Sequence, residues 1–386
     1  MTEYTPLRMP AEALPLEAGT LLWQRFGRQI GVEFPSPKTN QQWQLTPQGW
    51  VGALPLGRSL TVLLQPRMPF ASLFGMLEYA YHLQSLRFLE GTITCDSLPE
   101  FYERLAHILA RRILDRGRKG LLRDYVQHTG KVAAVRGKLD VPRMAQHPWE
   151  VYPTCTYSDH TADNEDNQIL AWTLYIILQS GLCTERSLPA IRRAFRMLQQ
   201  AVTLQPIDPA VCVHRTYHRL NADYQPLHAL CRFFLEHAGP GYSAGEHQMI
   251  PFLVDMARLF EQFVASWLRT HLPPQYTLAT QEPVRLTVEG RLRFVLDLVL
   301  RDTATGTPRC ILDTKYKPDA TPDSDDIAQV VAYAAARDCH DAILVYPTPL
   351  ERPIDIPVGT IRVRSATFAL SDRIEEAGQA LLRQIL

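Results

Sequence analysis

The chain has 386 residues, 46% of them hydrophobic and 21% charged, with Lys+Arg 40 balancing Asp+Glu 40. That composition is ordinary for globular protein and supports a sizeable core spread over two or three domains. A formal net charge of zero excludes a broad positive field that would draw nucleic acid to the chain unaided. It leaves room for a local basic groove, or for a partner that delivers the chain to nucleic acid. No uninterrupted apolar run approaches the roughly 18 residues of a membrane span. The first residues, MTEYTPLRMPAEALPLEAG, lack the apolar stretch of a signal peptide. Seven cysteines (Cys95, Cys155, Cys183, Cys212, Cys231, Cys310, Cys339) are scattered without a C-x-x-C pair, as expected of reduced structural thiols in a cytoplasmic protein.

Residues 1 to about 95 read as β-rich. Trp50–Leu54 and Ser59–Gln65 form two extended runs around Pro55 and Gly57, a hairpin pattern. Phe74, Leu77, Tyr81 and Leu83 then approach helical spacing, with Ser72 as the expected cap. Phe101, Leu105, Ile108, Leu109 and Ile113 recur at steps of three and four, predicting an amphipathic helix from Leu98 to Ile113 with a basic end at Arg111, Arg112, Arg116, Arg118, Lys119 and Arg123. Cations at a helix C-terminus are favoured by the dipole, and the same cluster suits a phosphate or an acidic partner. Residues 131–142 and 149–157 read as extended segments around a tip at Arg143–Pro148. Helices are predicted over about 165–181, 187–202 and 220–237, and Gly239-Pro240-Gly241 marks the main boundary.

The last third is predicted as helix (about 252–270), strands (about 283–288, 292–301 and 309–317), helix (about 324–337), strands (342–346 and 360–366) and helix (372–385). Such mixing of strands and helices predicts an α/β sheet covered on both faces. The expected class is a multi-domain α/β chain: an N-terminal partner-binding region, 1–240, β-rich at first and then mainly helical with an extended hairpin, and a second domain, 241–386.

Chemistry concentrates in residues 291–319. Leu292, Phe294, Leu296, Leu298 and Leu300 alternate, so Asp297 points to the opposite face. A turn over Asp302–Pro308, centred on Thr305, makes paired residue numbers sum to 610. Asp297 then faces Asp313, Val299 faces Ile311, and Val295 faces Lys315. Two carboxylates directly opposite on a sheet repel and call for a cation. Hard oxygen ligands suit Mg²⁺, which keeps several waters. Lys315 beside them would stabilise an attacking water or help to deprotonate it. A surface hairpin whose aspartates merely form salt bridges is the bland reading of the same triplet. Twelve histidines include no H-E-x-x-H pair, and His214 and His218, four apart, read as structural. There is no G-x-S-x-G elbow.

Asp297 followed by Asp313-Thr314-Lys315 resembles the PD-(D/E)xK nuclease signature, although Leu296 stands where that pattern has Pro. The resemblance implies a restriction-endonuclease-like mixed sheet for the second domain. It also implies that Glu261, on the helix before the sheet, joins the site, that Thr314 adds its backbone carbonyl to the metal, and that Gln329 and Tyr333 flank it as a Q-x-x-x-Y helix. Further segments are similar to McrC proteins, in the family's order: 51–80, 120–140 with Arg123-Asp124-Tyr125 and Arg136-Gly137-Lys138, Asp163–Asn167, and Arg219–Tyr224. The likeness spans about residues 50–350, and residues 1–49 match nothing. It implies the nuclease subunit of a modification-dependent restriction system, active against phage DNA and requiring Mg²⁺ (Mn²⁺ as a substitute). It further implies double-stranded, modified DNA as substrate and a hexameric McrB-type AAA+ GTPase as partner. The chain carries no G-x-x-x-x-G-K-[ST] loop, so by itself it is expected to bind no nucleotide. The pore-facing element is expected at the tip Arg143–Pro148 or in the basic turn 116–123. Two alternatives stay open: a regulatory adaptor that activates the ring with little cleavage of its own, and a free-standing nuclease.

Overall fold

The computed structural model describes residues 1–56, 60–81, 83, 97–213, 215–244, 247–285, 293–317, 322–370 and 373–386. Gly57, Ser59, Cys95, His214, Leu292 and the expected start of the last helix at 372 lie outside the described residues. The chain forms two compact units, one made of Met1–Leu98, Gly239–His247 and Pro251–Leu386, the other of Pro99–Ala238 and Gln248–Ile250.

Against the expected division into 1–240 and 241–386, the first 98 residues belong with the last third. The cause is a strand that reads locally as helix. Phe252–Asp255, placed by periodicity inside a helix over 252–270, pairs antiparallel with Trp50–Ala53 in a three-stranded sheet completed by Thr61–Leu64. Gly52 makes this pairing feasible: a Cβ there would lie 2.0 Å from the Phe252 carbonyl oxygen, and its φ is +152°. Asp255 then caps the helix Met256–His271, accepting hydrogen bonds from the Ala257 and Arg258 N–H groups at 3.1 Å each. The helix Phe70–Ala80 packs on this one: Ser266 Oγ donates to the Tyr79 carbonyl at 2.9 Å, and the Tyr79 and Phe263 rings meet edge to face. Its cap is Pro69. Ser72, expected as cap, is buried inside the helix.

The same unit holds a six-stranded mixed sheet in the order Tyr276–Arg285, Arg293–Asp302, Pro308–Thr314, Asp341–Tyr346, Ile361–Thr367, Asp355–Val358. The first three strands are antiparallel, the next two join them in parallel, and the edge strand Asp355–Val358 turns back. That edge strand was not expected from the sequence. Leu298, Leu300 and Leu312 are fully buried on one face, while Val299, Ile311 and Leu344 are fully buried on the other, with Val330 of the helix Ser324–Ala335. Both faces are covered, as the near-continuous apolar strands require. Residues 1–49 add a small sheet, Leu7–Pro10, Gln42–Pro47 and Ile30–Glu33, and the helix Leu16–Phe26.

In the second unit the helix Leu98–Lys119 runs a turn and a half beyond its expected end, so Arg116, Arg118 and Lys119 lie in its last turn rather than in a loop. Asp124–Lys131 and Thr154–Thr161 pair along their lengths, with Lys138–Leu139 on the far side of the latter. A short helix, Val141–Gln146, overlaps the tip expected at Arg143–Pro148 and takes in the end of the segment expected as extended. The segments Asp163–Asn167 and Arg219–Tyr224 meet at Asn167, whose side chain is fully buried. Its amide donates to the carbonyls of Leu122 and Ala162 at 2.8 Å each, and it accepts from Tyr224 Oη at 2.7 Å. These residues hold the unit together; each hydrogen bond to a buried polar group is costly to lose.

Six cysteines are described, all free and all but Cys212 buried. Among the described residues no helix is long and apolar enough to cross a membrane.

Candidate active site

The strands Arg293–Asp302 and Pro308–Thr314 pair Leu298 with Leu312, Val299 with Ile311, and Leu300 with Cys310. Each pair sums to 610, the register that the alternation predicts, and a bulge absorbs the slip only at Arg301. One step past the last pair, Asp297 stands beside Asp313, and the Thr314 N–H donates to Asp297 Oδ2 at 3.3 Å. The strand ends at Thr314, so the expected Val295–Lys315 pair lies beyond the ladder. Lys315 instead anchors its backbone N–H to the Val345 carbonyl at 2.9 Å and turns its ammonium to 2.7 Å from Asp313 Oδ2.

The helix Ser324–Ala335 closes this side. Gln329 Oε1 accepts from Lys315 Nζ at 2.8 Å, and Gln329 Nε2 donates to Tyr333 Oη at 2.7 Å. The two residues four apart share one helix face, as expected. From the opposite direction Glu261, on the helix Met256–His271, accepts a hydrogen bond from the Gln281 amide. Gln281 lies between the pairs Thr280–Leu298 and Glu282–Leu296, which places it across from Asp297, and its φ of +50° is in the left-handed region. Strain of this kind costs on the order of 1–3 kcal/mol and tends to collect at functional sites.

The structure thus brings together Asp297, Asp313, Lys315 and Gln329, with Glu261 within electrostatic reach of both aspartates. Periodicity missed Gln281, and it missed Asp326, a buried carboxylate in the first turn of the helix Ser324–Ala335. Asp326 Oδ2 is 2.5 Å from Lys317 Nζ, and its Oδ1 is 3.6 Å from Lys315 Nζ.

The electrostatics show an acidic site short of cations. Burial, and then the charge of Asp297, push Asp313 up to about 7 despite Lys315. Burial, and then Asp297 and Asp313, raise Glu261 to about 7. Asp297 is raised as well, by burial, against the pull of the Thr314 N–H and Lys315. Burial works against the Lys315 ammonium, but Asp313, Asp326 and Asp297 outweigh it and hold its pKa above the usual lysine value.

One atom tests whether a metal fits. Asp313 Oδ2 is buried, with the Lys315 ammonium 2.7 Å away and a second carboxylate, Asp297, beside it. Two carboxylates side by side offer hard oxygen donors of the kind a divalent cation takes. Among the described residues no three Asp, Glu, His or Cys side chains gather closely enough to make a ligand set by themselves.

A mixed α/β chain with paired aspartates and a lysine at the end of a sheet hairpin is the class of protein that fold and site define. The family model described as McrBC 5-methylcytosine restriction system component matches residues 45–347, and the chain belongs to that family. The type IV methyl-directed restriction enzyme EcoKMcrBC of Escherichia coli K12 is 21% identical over 216 residues, 54% of this chain and 61% of that relative, so the match spans less than two thirds of the relative's length. Among solved structures, the refined half-complex from the tetradecameric assembly of Thermococcus gammatolerans McrB AAA+ hexamers with bound McrC aligns over all of both chains, with a TM-score of 0.57 and 16% identity. The cryo-EM structure of the Thermococcus gammatolerans McrBC complex aligns over 71% of this chain and 87% of that one, with a TM-score of 0.44 and 17% identity.

Proposed function

We propose that this chain is the nuclease subunit of a McrBC-type restriction system, a Mg²⁺-dependent endonuclease with a PD-(D/E)xK centre that cuts double-stranded, modified DNA beside an AAA+ GTPase of McrB type. The observation that carries the reading is the juxtaposition of Asp297, Asp313 and Lys315, two neighbouring carboxylates with one ammonium against them. Asp297, Asp313, the Thr314 carbonyl and Glu261 would hold the metal. Mg²⁺ bound there would lower the pKa of a water and neutralise charge on the phosphate. Mn²⁺ would substitute.

The protein's own groups do the positioning. Lys315, kept cationic by three carboxylates, faces developing negative charge rather than acting as a base. Gln329 restrains its ammonium, and Tyr333 restrains Gln329. Glu261, with a proton affinity near neutrality, is suited to exchange a proton with solvent.

The partner reading rests on family membership and on the second unit. Around its short helix the side chains of Val141, Met144, Trp149, Val151 and Tyr152 are exposed, Trp149 to 73% and Val151 to 85%. Clustered apolar exposure of this kind marks an interaction surface. It adjoins the expected tip at Arg143–Pro148, and this is where we place the AAA+ contact in preference to the end of the helix Leu98–Lys119.

The test is cleavage of methylated duplex DNA by the chain together with its AAA+ partner, GTP and Mg²⁺. Cleavage is expected, with its loss on EDTA addition and its return with excess Mg²⁺ or Mn²⁺. Cutting that persists in EDTA overturns the metal site. Cutting by the chain alone at the same rate favours a free-standing nuclease, and GTPase stimulation without any cutting favours the adaptor. In the same assay Trp149→Ala is expected to weaken GTPase stimulation; an unchanged response excludes this surface.

A further inference from the structure

We propose that Asp326 is a positioning residue of the nuclease centre, spanning the two lysines of Lys315-Tyr316-Lys317 so that the Lys315 ammonium stays beside Asp313. This rests on the reading of Asp297, Asp313 and Lys315 as that centre. Asp326 is only 6% exposed, and each of its oxygens addresses a different lysine: Oδ2 lies 2.5 Å from Lys317 Nζ, and Oδ1 lies 3.6 Å from Lys315 Nζ. Its own backbone is pinned, because Asp323 caps the helix and accepts the Asp326 N–H at 2.9 Å. Asp323 Oδ2 also reaches Lys317 Nζ at 2.6 Å.

Lys315 needs such support. The strand ends one residue before it, and an ammonium on a four-carbon stem has no preferred fork geometry of its own. Gln329 Oε1 holds it from one side at 2.8 Å and Asp326 from another, both on the first turns of a single helix. Displacing a catalytic group by about 1 Å can cost roughly a hundredfold in rate.

Lys317 explains how a further buried carboxylate is tolerated in an already acidic site. Removing one partner of a buried ion pair leaves an uncompensated charge. Lys317, shared between Asp326 and Asp323, offsets part of the negative charge that Asp326 brings near the place where a phosphodiester must approach. Lys317 is in this reading the neutralising half of the device, and Asp326 the orienting half.

Asp326→Asn, Lys317→Met and the double variant separate these roles in the full chain assembled with its AAA+ partner. Three quantities are read: single-turnover cleavage, DNA affinity measured in EDTA, and thermal midpoint. Asp326→Asn is expected to slow cleavage by about tenfold or more while DNA affinity stays the same or tightens, since a negative charge is gone. Lys317→Met, leaving Asp326 uncompensated, is expected to lower both affinity and rate, and the double variant to recover affinity but not rate. Wild-type cleavage by Asp326→Asn overturns the proposal. So does a loss of rate that only follows a fall in thermal midpoint, or a double variant whose rate recovers. Asp313→Asn run in parallel guards the premise: if it still cuts, the nuclease centre itself has been misassigned.

Discussion

The Asp313→Asn chain, assembled with its AAA+ partner, is expected to lose DNA cleavage by about 10³-fold or more while stimulating GTP hydrolysis as the wild type does. Asn preserves the volume of a residue that is 1% exposed and removes only the charge. Metal stabilisation of a phosphoryl transition state is worth several kcal/mol, and about 1.4 kcal/mol corresponds to tenfold in rate. The same change takes the carboxylate partner from the Lys315 ammonium and relieves its repulsion with Asp297, two opposed effects, so the melting temperature is read beside the rate. Loss of activity without loss of stability separates a chemical role from a structural one. Full cleavage by this variant, or a collapse of GTPase stimulation along with cleavage, contradicts the assignment.

The second large effect is a coupling of stability, pH and metal. Asp313 and Glu261 are both pushed up to about 7 by burial and neighbouring carboxylates. In the unfolded chain they lose their protons near pH 4. Between about pH 4 and pH 7 the folded state therefore binds more protons than the unfolded one, and stability falls as pH rises through that window. Below it both groups are neutral in either state and the penalty is absent; above about pH 7 it is paid in full. The size is on the order of a few kcal/mol. Mg²⁺ binds the deprotonated form, so it should raise the melting temperature more at pH 8 than at pH 5.5. At a hundredfold excess over Kd the stabilisation is about 2.7 kcal/mol. Differential scanning calorimetry across this range, with and without Mg²⁺, measures both. An equal Mg²⁺ shift at the two pH values would rule out these carboxylates as ligands.

The hairpin carrying Asp297 and Asp313 was legible because strict alternation through Leu296, Leu298 and Leu300, and a turn at Gly306, leave a single register for two strands. Glu261 and Gln329 were legible only through resemblance, since their approach to the aspartates depends on how two helices pack against the sheet. Asp326 was not legible at all. Its meaning comes from Lys317, nine residues earlier in the chain, and an acidic first turn reads equally well as dipole complement. The N-terminal 98 residues were placed apart from the last third for a similar reason: the pairing of Phe252–Asp255 with Trp50–Ala53 joins segments some 200 residues apart, and three apolar residues ahead of a helix continue its pattern. The edge strand Asp355–Val358 was hidden by Pro357, which an edge position accepts.

Anomalous scattering from Mn²⁺ in crystals of the full chain bound to duplex DNA would locate the ion itself. A peak between the carboxylates of Asp297 and Asp313, lost in Asp313→Asn, is the expected result. A well-ordered site with no peak there, or a peak only at other residues, would contradict the metal-centred reading of this hairpin.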